Sequence, residues 1–165
     1  MRWIALACLG LPVAAFEFDS IDGGTIDLDD LRGRAVLVVN TASLCGFTDQ
    51  YAGLQALQDT YGPRGLTVLA VPSDSFRQEL DDASEVAAFC EVNYGLTIPM
   101  TDITPVRGPQ AHPFYDWLAR QGAVPRWNFN KALLAPGGAL VAFEGAGTRP
   151  DSRRLTAAIE DVLPR

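Results

Sequence analysis

Cys45 stands in the stretch Val36-Leu-Val-Val-Asn-Thr-Ala-Ser-Leu-Cys-Gly-Phe-Thr48, after a β-branched apolar run and shortly before a helical pattern. A thiol at the end of a strand and ahead of a helix meets backbone N–H groups and the positive end of a helix dipole. Both favour thiolate over thiol. A thiolate is the nucleophile of peroxide reduction and of disulfide exchange. The other two cysteines have less telling addresses: Cys8 lies in an apolar N-terminal run, and Cys90 shares a helix face with Val86 and Phe89. That face alone makes Cys90 a buried structural residue. Cys45 is followed by Gly-Phe-Thr, so the Cys-x-x-Cys pattern of a thiol–disulfide oxidoreductase is missing at this position. His112, the one histidine, precedes a proline at a helix start and reads as structural. No His, Cys and Asp cluster has metal-ligand spacing and no glycine-rich phosphate loop occurs, so neither a metal nor a cofactor is expected.

The elements that must position these residues follow from periodicity. Phe16–Phe18 and Thr25–Leu28 flank Asp-Gly-Gly and read as a hairpin. Arg34–Thr41 and Leu66–Val71 read as buried strands, the second stopped by Pro72. Between them, Asp49–Tyr61 carries Tyr51, Leu54, Leu57 and Tyr61 on one helix face. Asp82-Ala-Ser-Glu85 fits a capping box for a helix over Ala83–Tyr94 that Gly95 closes. The pattern predicts a further helix over Pro109–Arg120, strands over Trp127–Leu134 and Ala139–Phe143, and a final amphipathic helix over Asp151–Leu163. Strands and helices alternate first, then a hairpin and a helix finish. That order predicts an α/β fold: a mixed central sheet with a βαβ core and helices on both faces.

The 165 residues suffice for one domain with a full core, and 48% apolar with 20% charged residues argues against disorder. A net charge of −7 without a basic block argues against nucleic acid and anionic membrane surfaces. One of the thirteen basic residues is lysine, Lys131, which reads as composition bias without functional content. Arg2, the apolar run Trp3–Ala15 and Val13-Ala14-Ala15 resemble a secretory leader cut before Phe16, too short to span a bilayer. The expectation is a leader over residues 1–15, a single domain over 16–165, and a secreted or periplasmic location; an ordinary first strand and lipidation at Cys8 are the alternatives.

Three motifs in order resemble the glutathione peroxidase family, from about Phe16 to Leu163. They are Asn40-Thr-Ala-Ser-Leu-Cys45-Gly-Phe-Thr; Leu66-Thr-Val-Leu-Ala-Val-Pro72 followed by Phe76-Arg-Gln78-Glu79; and Ala111-His-Pro-Phe-Tyr ahead of Trp127-Asn128-Phe129-Asn130-Lys131. The resemblance implies a thioredoxin-like fold and a catalytic set of Cys45, Gln78, Trp127 and Asn128. Sulfur attack on a peroxide builds negative charge on the leaving oxygen, which amide and indole donors can stabilise. The chain departs from the family before Gln78, where Ser73-Asp74-Ser75 replaces the usual Cys-Asn-Gln and the loop is one residue shorter. Phe89-Cys90-Glu-Val-Asn-Tyr-Gly resembles the resolving-cysteine segment of thioredoxin-dependent members. That implies a Cys45–Cys90 disulfide, reached through local unfolding. The implied partners are a hydroperoxide and, as reductant, a thioredoxin-like dithiol protein or glutathione. The short segment between Pro109 and Trp127 implies a monomer and a protein reductant, and the short N-terminal apolar run leaves no stable membrane insertion expected. A peroxide sensor that relays its disulfide, a thiol–disulfide oxidoreductase and an inactive binding protein of the same fold are the rival readings.

Overall fold

The computed structural model describes residues 16–164; the expected leader lies outside them. The chain enters through an antiparallel hairpin, β1 (Glu17–Asp19) and β2 (Thr25–Asp27), with Phe18 opposite Ile26. Its turn runs through Gly23 and Gly24 at φ of 89° and 77°, a region glycine enters without a Cβ penalty. β3 (Ala35–Thr41) and β4 (Leu66–Pro72) follow, every residue in each buried. Strands covered on both faces have no solvent side to alternate toward, which is why both read as near-continuous apolar runs, broken by Thr67 in β4 and ended by Asn40-Thr41 in β3. α1 (Gln50–Tyr61) makes the crossover between them, and they pair in parallel from Ala35 opposite Leu66 to Thr41 opposite Pro72.

α2 (Ala83–Tyr94) begins at Asp82, whose carboxylate accepts the N–H groups of Ser84 and Glu85, and ends at Gly95 in the left-handed region. This is the expected start and stop. α3 (Pro113–Arg120) begins four residues later than expected: 109–112 is a loop, and His112 is the N-cap. β5 (Lys131–Leu134) is shorter than expected, because Trp127–Asn130 forms a turn and not a strand. β6 (Leu140–Glu144) and α4 (Arg153–Val162) complete the chain. β5 runs antiparallel to both β3 and β6, so the sheet order is β4-β3-β5-β6.

Alternation along β3 divides the core. Ala35, Leu37 and Val39 face one apolar cluster with Tyr51, Leu54 and Leu57 of α1, Val86 and Cys90 of α2, and Leu155 and Ile159 of α4. Val36 and Val38 face the other, with Phe114 and Leu118 of α3 and Phe16 and Phe18 of the hairpin segment. The expected mixed sheet with helices on both faces is therefore present.

His112 ties the second layer together. Its Nε2 donates to the Glu17 carbonyl at 2.8 Å, its Nδ1 accepts the Phe114 N–H at 3.2 Å, and its ring stacks on Phe18 with centroids 3.9 Å apart. These partners require the neutral ring. Burial lowers the His112 pKa, against the opposing pull of the Glu17 carbonyl, Asp19 and Asp116. A folded pKa below the unfolded value gives stability that is present above the unfolded pKa, about 6.5, and lost as pH falls through the folded value. His112→Ala is expected to lose roughly 1–2 kcal/mol near neutral pH, from two hydrogen bonds. The loss should shrink as pH falls, when measured by urea denaturation.

Candidate active site

Because β3 and β4 are parallel, both finish at the same edge of the sheet; because β5 opposes β3, it starts there. Three connections therefore meet at that edge: the loop after β3 with Cys45, the loop after β4 with Gln78, and the turn before β5 with Trp127 and Asn128. In open α/β sheets this edge is where sites form.

Cys45 is a free thiol, 6% exposed, beside Leu44, which is largely exposed. Consecutive turns carry the chain from it into α1: Thr48 N–H donates to the Cys45 carbonyl, Gln50 N–H to that of Phe47, and Tyr51 N–H to that of Thr48. Asp49 gives α1 no side-chain cap; it pairs instead with Arg149 at 2.8 Å.

The structure brings the other candidates together around this loop. Leu44 N–H donates to the Gln78 carbonyl at 2.8 Å, which joins the Cys45 and Gln78 loops next to the thiol. Asn128 is fully buried, and its Nδ2 donates to Gln78 Oε1 at 3.0 Å. Trp127 is 39% exposed, with its ring 5.4 Å from that of Phe76, over which Arg107 lies at 5.2 Å. The turn that presents them is tied to the end of β3. Asn40 Nδ2 and Asn130 Nδ2 both donate to the Trp127 carbonyl, at 2.9 and 2.6 Å. Phe129, at φ 63°, donates its N–H to the Asn40 carbonyl.

Cys90 is also a free thiol and fully buried, in the same apolar cluster as Cys45. Burial pushes its thiol up to about 11; the Tyr51 hydroxyl opposes this and the Glu79 carboxylate adds to it.

Sequence reasoning gave Glu79 no role, yet it is a buried clamp. Its Oε1 accepts the N–H groups of Ser43 and Leu80, both at 2.9 Å, which links the two loops a second time. Burial raises its pKa, against the hydrogen bonds from Ser43 and Leu80. Asn40 and Lys131 were missed as well. Charge and periodicity carry no signal for side chains that bond backbone across the sheet; the one hint was a carboxylate beside Gln78.

A reduced thiol at the strand end of a mixed sheet layered by helices defines the thioredoxin-like class. A thioredoxin-family thiol:disulfide interchange protein of Chlorobium tepidum TLS superposes with a TM-score of 0.68 at 14% identity, covering 92% of this chain and 94% of that one. The crystal structure of Trgpx in apo form matches with a TM-score of 0.67 at 30% identity, over 90% of this chain and 96% of the other. The family model for glutathione peroxidase matches residues 13–119. The hydroperoxy fatty acid reductase gpx1 of Synechocystis is 39% identical over 163 residues, 92% of this chain and 95% of the relative. The chain belongs to the glutathione peroxidase family and is a peroxidase.

Glu79→Gln keeps the accepting oxygen and is expected to fold with near-native stability. Glu79→Ala leaves two N–H groups without their acceptor. Thermal or urea unfolding should show it destabilised by roughly 2–4 kcal/mol, since each buried unsatisfied donor costs about 1–3 kcal/mol.

Proposed function

We propose that the chain is a thiol peroxidase in which the Cys45 thiolate attacks the terminal oxygen of a hydroperoxide. The O–O bond breaks, the sulfur is oxidised to sulfenic acid, and the leaving oxygen takes a proton to depart as water or an alcohol. Gln78, Trp127 and Asn128 stabilise the charge that develops on that oxygen, a task for fixed donors that change no protonation state. The observation that carries this reading is the Asn128–Gln78 hydrogen bond, closed onto the Cys45 loop by the Leu44 N–H.

Cys90 resolves the sulfenic acid. Its sulfur attacks that of Cys45, hydroxide leaves as water with the thiol proton, and an intramolecular disulfide results. A thioredoxin-like dithiol protein then reduces the disulfide by exchange, becoming oxidised itself. Shared membership of one apolar cluster supports the pairing, and burial of both thiols fits a step that needs local opening. A net charge of −7 favours a dithiol protein over glutathione, whose carboxylates want a basic site. The protein acts as a monomer.

Hydrogen peroxide and organic hydroperoxides are both substrates. An apolar tail has room in a groove of about 440 Å³ bordered by apolar Ile103, Pro105 and Pro109 and by polar Asp74, Arg107 and Gln110, and Arg107 in turn covers the Phe76 ring. The name of the Synechocystis relative agrees with such a substrate. Steady-state reduction of hydrogen peroxide and of an organic hydroperoxide, with a thioredoxin system and glutathione side by side, tests substrate and reductant together. Turnover with neither reductant would reject the enzyme reading.

Rapid-mixing oxidation of the reduced protein separates the residues. Cys45→Ser is expected to fold and show no oxidation. Asn128→Ala should slow the first oxidation by about 10²–10³, the effect of losing one oxyanion donor. An unchanged rate would leave Asn128 a turn residue. Cys90→Ser should oxidise once at the normal rate and stall at sulfenic acid, and normal turnover would make Cys90 structural.

Export is part of the same proposal, on the strength of Arg2, the apolar run to Ala15 and the small residues before Phe16. N-terminal sequencing of protein recovered from outside the cytoplasm should start near Phe16. An intact Met1 on active cytoplasmic protein would reject export.

A further inference from the structure

The geometry points to Lys131 as the positioning residue of the Trp127–Asn128 turn: its ammonium, buried beneath the site, holds the Phe129 carbonyl and with it the backbone that presents both side chains. This inference rests on the peroxidase reading above.

Lys131 is the one lysine in the chain, and it is fully buried. It opens β5, opposite Val39 of β3 and Glu144 of β6. Its Nζ donates to the Phe129 carbonyl at 2.6 Å. Phe129 sits at φ 63°, where a residue with a Cβ stays only when its surroundings hold it. Phe129 is fully buried in the core, and three contacts fix its backbone and ring. The Phe129 N–H is bound by the Asn40 carbonyl, its ring meets that of Tyr51 edge-on at 5.2 Å, and its carbonyl is bound by Lys131. Only the last is a charged hydrogen bond, stronger than a neutral one.

An apolar residue would fill this position without the cost of burying an ammonium. The charge therefore has to be accounted for by what it binds. The carboxylate opposite it on β6, Glu144, has other partners: Arg154 Nε donates to Glu144 at 2.6 Å and Thr148 Oγ1 at 3.2 Å. What Lys131 holds by itself is the turn carbonyl. Two residues before that carbonyl lies Trp127, and one before lies Asn128, whose amide reaches Gln78.

The charged groups that face Lys131 are Glu144 on β6 and Arg149 in the loop after it, while β3 contributes the neutral Val39. Burial lowers the ammonium's pKa to about 8; Glu144 opposes this and Arg149 adds to it. The latch is thus charged at neutral pH and loses its proton just above. Below about 8 the ammonium holds the turn, and above it a neutral amine donates a weaker bond.

The test compares wild type, Lys131→Met, Lys131→Arg and Cys45→Ser in the full chain. Reduced protein is mixed rapidly with hydrogen peroxide, and the oxidised protein is then re-reduced with a dithiol. Lys131→Met should oxidise about tenfold slower or worse, a barrier change of at least one decade in rate, and be re-reduced at the normal rate. Lys131→Arg keeps charge and donors and should recover most of the loss. Because arginine does not titrate in this range, the oxidation rate of wild type relative to Lys131→Arg should fall as pH rises from about 7 to about 9.5. A wild-type rate in folded Lys131→Met overturns the inference, as does a flat ratio across that pH range. If Lys131→Met does not fold, the pH ratio decides alone. Oxidation of Cys45→Ser at the normal rate would sink the peroxidase reading itself. Loss in Cys45→Ser with no effect at Lys131 would sink only this inference.

Discussion

Val39 is paired with Ala70 on one side and Lys131 on the other, and everything that can do chemistry hangs from that register. The parallel partner sends its chain out at the edge where β3 ends, and the antiparallel partner brings its chain in there. A slip of one residue on either side would invert which side chains face which layer. It would also take Asn40, the next residue along, away from the turn that it binds through both its side chain and its carbonyl. Apolar burial enforces the register, since Leu37 and Val39 must meet one helical layer and Val36 and Val38 the other.

At this edge two buried charges of opposite sign do similar work. Glu79 binds the N–H groups of Ser43 and Leu80, and Lys131 binds the carbonyl of Phe129. Each fixes backbone next to a candidate residue and none of the three bonds goes to a candidate side chain. Loops at a sheet edge lack the ladder that holds strands, so their polar groups need partners from somewhere. A charged side chain supplies a stronger bond than a neutral amide and holds the loop more rigidly. The arrangement is a frame of main chain braced by ions, on which Gln78, Trp127 and Asn128 are mounted.

The central strands and α2 were legible in the sequence because their signals are local. An apolar run, a capping carboxylate and a left-handed glycine each act within a few residues. Cys45 was legible for the same reason, as a thiol between a strand and a helix. Trp127–Asn130 reads as strand in the sequence because its tryptophan and phenylalanine mimic β-pattern, whereas the turn depends on Asn40, about ninety residues earlier. α3 is shorter than its sequence pattern because Pro109 and Pro113 both suit a helix start; His112 decides between them through its bonds to Phe114 and, from another element, Glu17. Lys131 reads as compositional because no local pattern distinguishes a buried lysine from a solvated one. Motif order found the candidate site, while the residues that brace it emerge only once the strands are side by side.

α2 is attached to the rest of the molecule in an unusual way. Its ends are finished by their own residues, Asp82 and Gly95, and within the helix only Val86 and Cys90 are fully buried. Phe89 and Tyr94 add partial contacts to the same cluster. A segment whose hydrogen bonds are internal and whose anchors are few can detach at a fraction of the free energy of global unfolding. One of its two anchors is a thiol. Any modification that removes Cys90 from the core takes away one of the two fully buried anchors of the helix and leaves the strand pairing intact. The state of a single sulfur thus sets how firmly one helix is held, while the strands that carry the rest of the molecule keep their pairing.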